Sequence, residues 1–448
     1  MKILVAFLIL GLVMPIAASP AAKIFPYKYF TDDLPNGLRV ITIPTDYPNI
    51  VALFIVVGAG SRNEVEPGKS GFAHLFEHLM FRGTERFPTA KYEEIMKKAG
   101  ADSNAYTSDD RTVYHTTFSK EDLDQIMMLE ADRFQNLKVP VDLFKTETKA
   151  VLGEYNKNAS NPVRKMYELL RDTAYQTHTY KHTTMGFLRD IENFPSMYEY
   201  SLEFFKRYYR PEYTTITVVG DVKHDNVLQL VNKYWSNWQR GSYVPQIPNE
   251  PEQTRELSAH VDWPLQTLPL VMVAHKGPEY SDEQKDLATM DLIAALGFSP
   301  NSELYQRLVI KEQKVDALFS DFEDHRDPYL LTVGARVKDA KDVDYVKNEI
   351  VKTFNSFKST SVQKDKLDAV KSNLRYSFAL GLDNSEAIAA ALASYIALRR
   401  TPETINKVYD LYGVITPEDI QSMARKYFVD THRTIVTLSH KENAKNAQ

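Results

Sequence analysis

Two histidines and a glutamate in one short segment are the residues of this sequence best suited to metal chemistry. Residues 71–81 read GFAHLFEHLMF, with His74 and His78 four positions apart and Glu77 beside the second. On a helix, this spacing places both imidazoles on one face, where they can bind one zinc ion. Glu77 lies on the same side and can accept a proton from a water molecule that the metal activates.

A buried helix with two ordinary, satisfied histidines is the alternative interpretation of this segment. Polar side chains in an otherwise apolar helix need partners, because burying them unpaired costs free energy. A metal ion supplies such a partner, so we favour the zinc site. Ser70 can serve as the N-cap of the helix, and Gly83 can stand just past its end.

A third protein ligand is needed, since catalytic zinc usually takes three and leaves one position for water. Residues 147–154 read ETKAVLGE within a predicted helix over 141–158. Seven residues are close to two helical turns, so Glu147 and Glu154 share a face. One can bind the metal while the other holds a neighbouring group in place. Periodicity alone does not choose between them, and a solvated charged face is the alternative.

The metal-binding pattern resembles the family of insulysin, pitrilysin and mitochondrial processing peptidase, whose inverted zincin signature is His-x-x-Glu-His. The resemblance implies a third ligand about 76 residues after the second histidine, and 154 − 78 = 76. The resemblance implies one zinc per chain bound by His74, His78 and Glu154, with Glu77 as general base and Glu147 supporting a ligand. It also covers these segments: Gly60-Ser61, Glu64, Phe81-Arg82-Gly83-Thr84 and Asn104-Ala105.

The function that the resemblance implies is a zinc-dependent endopeptidase that cleaves unfolded peptides. Asn104 and Ala105 match an edge strand of the family, to which an extended substrate adds as a further strand. A plain strand end is the alternative for these two residues. A catalytically silent peptide-binding or assembly subunit of the same fold is the alternative for the whole chain.

The second half of the sequence has no zinc motif, because the counterpart of the metal helix, 288–296, reads ATMDLIAAL. Second halves in the family often contribute an Arg and a Tyr, seven residues apart, that steady the substrate and the tetrahedral intermediate. Our alignment places Tyr329 at the Tyr position and Phe322 at the Arg position, while Arg326 has the wrong spacing. We therefore expect a homodimer, or a heterodimer with a paralogue that lacks the zinc motif and carries the Arg and the Tyr.

Three other histidines receive weaker interpretations. His178 and His182 are also four apart, but the intervening sequence is rich in threonine and has no acidic partner. We interpret them as structural or substrate-lining residues rather than zinc ligands. His115, in the predicted strand 112–118, belongs to the core or to a cleft wall.

The chain is organised as two similar halves joined by a proline-containing linker. Residues 206–219 read KRYYRPEYTTITVV and residues 425–438 read RKYFVDTHRTIVTL, at an offset of 425 − 206 = 219. This repeat favours an internal duplication. We predict a catalytic domain over 23–240, a linker over 241–258 and a non-catalytic homologous domain over 259–448. Strands mixed with long helices predict an α+β fold, and the resemblance implies mostly antiparallel sheets and a clamshell chamber.

The start and the composition of the chain indicate export. A charge-free run from Ile3 to Ala18 follows Lys2, and small residues follow it, so residues 1–22 are predicted to be a signal peptide. We expect a periplasmic or secreted protein with no membrane span after the signal is removed. An uncleaved membrane anchor is the alternative. The net charge of −5 gives no reason to expect nucleic acid as a partner.

Overall fold

A computed structural model of the chain describes residues 23–441. The predicted signal peptide, 1–22, lies outside the described residues. The described residues form two β-sheets with helices packed against both. The predicted α+β fold is therefore confirmed.

The strands are divided between the two halves of the chain. In chain order they are β1 Phe30–Asp33, β2 Arg39–Pro44, β3 Ile50–Val57, β4 Asp102–Thr107, β5 Thr112–Ser119, β6 Thr214–Gly220, β7 Leu257–Trp263, β8 Leu270–Lys276, β9 Val315–Asp321, β10 Leu330–Val337 and β11 Arg433–His440. The first sheet has the order β1-β2-β6-β3-β5-β4 and the second the order β7-β11-β8-β10-β9. All neighbours are antiparallel except β2 with β6 and β7 with β11, which agrees with mostly antiparallel sheets.

The helices make up most of the remaining structure. In chain order they are α1 Phe72–Leu79, α2 Thr89–Lys98, α3 Leu123–Asn136, α4 Val141–Ala159, α5 Pro162–Ala174, α6 Leu188–Ile191, α7 Tyr198–Tyr208, α8 His224–Trp235, α9 Lys285–Phe298, α10 Glu303–Tyr305, α11 Val343–Ser359, α12 Lys364–Leu380, α13 Ser385–Arg399, α14 Glu403–Val414 and α15 Pro417–Tyr427. Between residues 23 and 441, none of them is long and apolar enough to cross a bilayer.

The repeat seen in the sequence extends to the order of the strands. Helix α7 and strand β6 in the first half correspond to α15 and β11 in the second, with 417 − 198 = 219. The order β2-β6-β3-β5-β4 in the first sheet then matches β7-β11-β8-β10-β9 in the second, strand by strand. In this correspondence α9 stands where α1 stands in the first half. The segment between α8 and β7 includes residues 241–256 of the predicted linker, and β7 begins inside the predicted range, at Leu257.

Each sheet is covered on one face by a helix from the other half. Strand β3 is apolar throughout, and its residues alternate between two cores. One of these cores is built with α1, whereas the other contains Ile388 and Leu392 of α13, from the second half. In return, Met166 and Leu170 of α5 pack against the second sheet. A strand buried on both faces reads as a continuous hydrophobic run, which explains the sequence of β3.

Candidate metal centre

The helix that carries the two histidines begins at a glycine rather than at a capping serine. Gly71 precedes α1 with a φ of 95°, and a Cβ atom there would lie 2.5 Å from the carbonyl oxygen of Met185. The buried carboxylate of Glu64 accepts hydrogen bonds from the N–H groups of Gly71 (2.6 Å) and Ala73 (2.7 Å). It therefore satisfies donors that a capping side chain would otherwise take.

The predicted N-cap role of Ser70 is therefore wrong. Its hydroxyl instead donates to Asp190 at 2.5 Å and accepts from the N–H of Phe187 at 2.8 Å. The other end of the helix follows the prediction, since a 3-10 turn, Met80–Arg82, leads into Gly83, whose φ is 79°. Local spacing in the sequence did not indicate this cap, because the capping carboxylate belongs to Glu64, seven residues before Gly71.

His74, His78 and Glu154 converge at one point between α1 and α4. One ligand atom from each lies within 4.8 Å of the other two. Glu154 Oε2 is 3.6 Å from His74 Nε2 and 3.3 Å from His78 Nε2. His74 is buried, while His78 and Glu154 are partly exposed, so the cluster is open to solvent on their side.

These three donors fit a zinc ion. Two imidazole nitrogens and one carboxylate oxygen form a His₂Glu set, which is typical of catalytic zinc with a fourth position left for water. Burial lowers the pKa of His74 to about 4, assisted by the neighbouring His78 and opposed by Glu154. The His74 ring is therefore neutral at pH 7, the form in which imidazole binds a metal.

Glu147 lies behind the cluster. Its carboxylate pairs with the guanidinium of Arg82, at 2.9 Å to Nε and 3.0 Å to Nη2. Glu147 Oε2 is also 4.0 Å from His78 Nδ1, on the side of the imidazole away from Glu154. At 4.0 Å this separation is longer than a hydrogen bond. Arg82 was not predicted, and its signal in the sequence was its position in the Phe-Arg-Gly-Thr segment after α1.

Glu77 is held in place by a threonine that the sequence did not single out. Thr107 Oγ1 donates a hydrogen bond to Glu77 Oε2 at 2.7 Å. Burial raises the pKa of Glu77, and this hydrogen bond acts in the opposite direction. Thr107 ends strand β4, two positions after Ala105, so one strand carries both the support of Glu77 and the predicted substrate contacts.

Asn104 and Ala105 lie on the last strand of the first sheet. Within the described chain, β4 is an edge strand: it pairs with β5 on one side and has no neighbouring strand on the other. Asn104 is exposed and pairs across the ladder with His115. The His115 ring stacks on Phe54 near α13, so the histidine lies at the contact between the halves.

Tyr329 is not brought to the metal cluster. Its ring stacks on His325, with centroids 3.5 Å apart, and meets Tyr180 edge-on in the contact between the halves. Substrate contact would require the ring to leave this packing, so we omit Tyr329 from the proposed site. Phe322, at the aligned Arg position, packs against Phe354.

The second histidine pair serves structural contacts. His178 Nε2 lies 2.8 Å from a carboxylate oxygen of Asp327 in the second half. His182 is buried near the Glu64 carboxylate, at 3.7 Å, and burial lowers its pKa to about 4. Neither histidine belongs to a metal-binding group within residues 23–441.

The fold and the metal cluster define a two-domain metallopeptidase architecture. The family model "Insulinase (Peptidase family M16)" matches residues 39–187, and "Peptidase M16 inactive domain" matches residues 197–374. The chain belongs to peptidase family M16.

Individual relatives are similar over almost the whole chain. "Zinc protease PqqE" of Helicobacter pylori is 28% identical over 433 residues, covering 95% of this chain and 96% of that protein. A crystal structure of a protease from Helicobacter pylori superposes with a TM-score of 0.86 at 28% identity, covering 92% of this chain and 99% of that one. The probable mitochondrial-processing peptidase subunit beta of Schizosaccharomyces pombe is 24% identical, covering 90% of this chain and 89% of that protein.

Proposed function

We propose that this protein is an active zinc endopeptidase that cleaves unfolded peptides. The observation that carries the proposal is the convergence of His74, His78 and Glu154 beside a supported Glu77. The name of the Helicobacter relative, a zinc protease, supports the same metal and reaction. When bound, zinc acts as a Lewis acid that polarises the scissile carbonyl and activates water.

Glu77 performs the proton transfers in this proposal. Its carboxylate accepts a proton from the attacking water and returns it to the nitrogen of the leaving amine. The hydrogen bond from Thr107 Oγ1 fixes one carboxylate oxygen, Oε2, and so holds the carboxylate in place for the proton transfer. In this proposal Glu147, which is paired with Arg82 and lies 4.0 Å from His78 Nδ1, orients the His78 ring as a metal ligand.

The substrate binds in this proposal as an extra strand on β4. An extended peptide pairs its backbone with the outer edge of the strand at Asn104 and Ala105. Such pairing reads main-chain groups, so it accepts many sequences but requires an unfolded segment. Because Thr107 ends the same strand, docking there brings the scissile bond towards Glu77.

Replacing Thr107 with Val should lower kcat by about 10-fold and leave KM within about 2-fold, because the lost hydrogen bond positions Glu77 rather than the substrate. Thr107→Ser keeps the hydroxyl and should restore most of the rate. Steady-state hydrolysis of a fluorogenic peptide measures both constants. Equal losses in the Val and Ser variants, or a change confined to KM, would assign Thr107 a packing role.

The active form in this proposal is a dimer of two-domain chains that encloses a chamber. The Schizosaccharomyces relative is named as a subunit, which supports an assembly of more than one chain. A homodimer and a heterodimer with a paralogue lacking the zinc motif are both compatible with one zinc site per chain. We favour the heterodimer, because the second half has Phe322 where the family places its Arg.

The protein acts outside the cytoplasm in this proposal, in the periplasm or after secretion. The support is the sequence of residues 1–22, which has the parts of a cleaved signal peptide.

A catalytically silent subunit of the same fold is the second candidate. The match of residues 197–374 to a family model described as an inactive domain favours it. That match lies outside the metal cluster on α1. The presence of every zinc residue and of the base supports the enzyme.

The zinc content of the purified protein, measured together with peptide hydrolysis, tests the proposed function. We expect about one zinc per chain and complete loss of hydrolysis on chelation, with recovery when zinc is restored. His74→Ala and Glu154→Ala should lose both zinc and activity, because two protein ligands hold the ion poorly. His260→Ala, an exposed histidine on β7, is the matched control and should lose neither. Zinc-loaded protein that binds peptides without cleaving them would instead identify a silent subunit.

A further inference from the structure

A cavity lies in the contact between the two halves, beneath the linker. Its volume is about 360 Å³. Gly58, just after β3, contributes from the first half, and Ala397 of α13 contributes from the second. Val244, Pro245 and Ile247 of the linker complete the wall. Segments from all three parts of the chain therefore meet around one space.

Three arginines line this cavity, and two of them have no carboxylate within 4.0 Å among residues 23–441. Arg62 is neutralised by Asp327, whose two oxygens accept from its Nε (2.5 Å) and Nη2 (3.0 Å). Arg326 donates from Nη2 to the carbonyl oxygen of Ala397. No ion pair within 4.0 Å involves Arg326 or Arg400 in the described part of the chain.

Arg400 is bonded to backbone oxygens of the first half. Its guanidinium donates to the carbonyl groups of Gly37 (3.0 Å), Glu212 (3.1 Å) and Thr214 (2.9 Å). These bonds fix its position, but none of them comes from a carboxylate. Glu212, the one acid among the lining residues described, accepts at Oε1 from the N–H of Gly241 at 2.9 Å and lies 3.5 Å from Nε of Arg210.

The charges of Arg326 and Arg400 have physical consequences for the cavity. Burial lowers the pKa of both side chains. For Arg326, Asp110 and Asp327 oppose this shift and Arg62 adds to it. For Arg400, Arg39 and Arg326 add to the shift, and Asp33 and Glu212 oppose it. Charged groups in protein interiors are paired or bind a counter-ion, because an unbalanced buried charge is costly. The planar guanidinium fork matches phosphate and carboxylate oxygens.

We propose that this cavity binds a small oxyanion, of the class of inorganic phosphate or a short dicarboxylate, between Arg326 and Arg400. The volume accommodates such an ion together with water. Because the ion would contact the second half beside the linker and the first sheet, it would hold the two halves together. This site is separate from the metal centre, and it does not depend on the proposed peptidase activity.

Thermal unfolding of the full-length mature protein in inorganic phosphate tests the proposal. Sodium phosphate should raise the Tm by about 2–4 °C at saturation, relative to sodium chloride of equal ionic strength. Arg326→Gln should remove most of this difference, and Arg326→Lys, which keeps the charge, should retain part of it. Arg336→Gln is the matched control, because Arg336 is exposed on β10 and pairs with Asp316.

Sulfate and succinate distinguish the chemistry of the ligand. Both stabilise many proteins non-specifically, so the decisive quantity is the difference between the wild type and the Arg326→Gln variant. A phosphate-dependent rise that saturates in the wild type and not in Arg326→Gln supports the site, and the same behaviour with succinate extends it to dicarboxylates. Equal rises in wild type, Arg326→Gln and Arg336→Gln, or no rise in any of them, would overturn the proposal.

Discussion

Glu77→Gln should retain about one zinc per chain and lose about 10²–10⁴-fold in kcat for peptide hydrolysis. The amide has the shape of the carboxylate, and its oxygen can still accept the hydrogen bond from Thr107. His74, His78 and Glu154 are unchanged, so metal binding should persist. An amide, however, cannot accept the proton of the attacking water. The rate should therefore fall while the zinc remains.

The measurement pairs zinc analysis with kcat on a quenched fluorogenic peptide. Glu93→Gln is the matched control, since Glu93 is exposed on α2 and its change removes the same charge. That variant should keep both zinc and activity. If Glu77→Gln hydrolysed the peptide within 3-fold of the wild-type rate, Glu77 would not be the base.

Adding a paralogue that lacks the zinc motif should raise kcat by about 10² or more, which is the scale of one lost oxyanion donor. A homodimer of this chain would lack the Arg and Tyr pair of the family, because between residues 259 and 448 no Arg is followed by a Tyr seven positions later. Tyr329 is packed against His325 and Tyr180, and Phe322 is packed in an apolar core. A partner carrying both residues would supply the missing contacts to the tetrahedral intermediate.

Light scattering and activity assays of the chain with and without the paralogue provide the test. A paralogue whose Arg is replaced by Ala should still assemble with the chain but should raise kcat far less, which separates assembly from catalysis. A fully active monomer would contradict the proposal that a partner chain supplies part of the active site. A homodimer whose kcat does not change when a paralogue is added would also contradict it.

The parts of the site that could be predicted are those encoded by short spacing. His74, Glu77 and His78 follow the helical period, and Glu147 and Glu154 follow it two turns apart. The resemblance to the peptidase family then indicated Glu154, rather than Glu147, as the third zinc ligand. The α+β class and the repeat were also accessible, because strand composition and the echoed segments are local features of the chain.

The parts of the site that could not be predicted from the sequence depend on contacts between segments that are distant along the chain. Thr107 reaches Glu77 across 30 positions, and Arg82 reaches Glu147 across 65. Glu64 takes the capping role expected of Ser70, because the chain turns back before α1. No periodicity signals such pairings, since the fold alone decides which side chains meet.

The exchange of helices between the halves has a consequence for whether either half can fold alone. Helix α5 covers the second sheet and α13 covers the first, so each half completes the hydrophobic core of the other. A single half would leave one apolar face of its sheet uncovered. A half-length chain expressed alone should therefore not fold as a monomer, and two copies of it should cover each other by exchanging this helix, as in domain swapping.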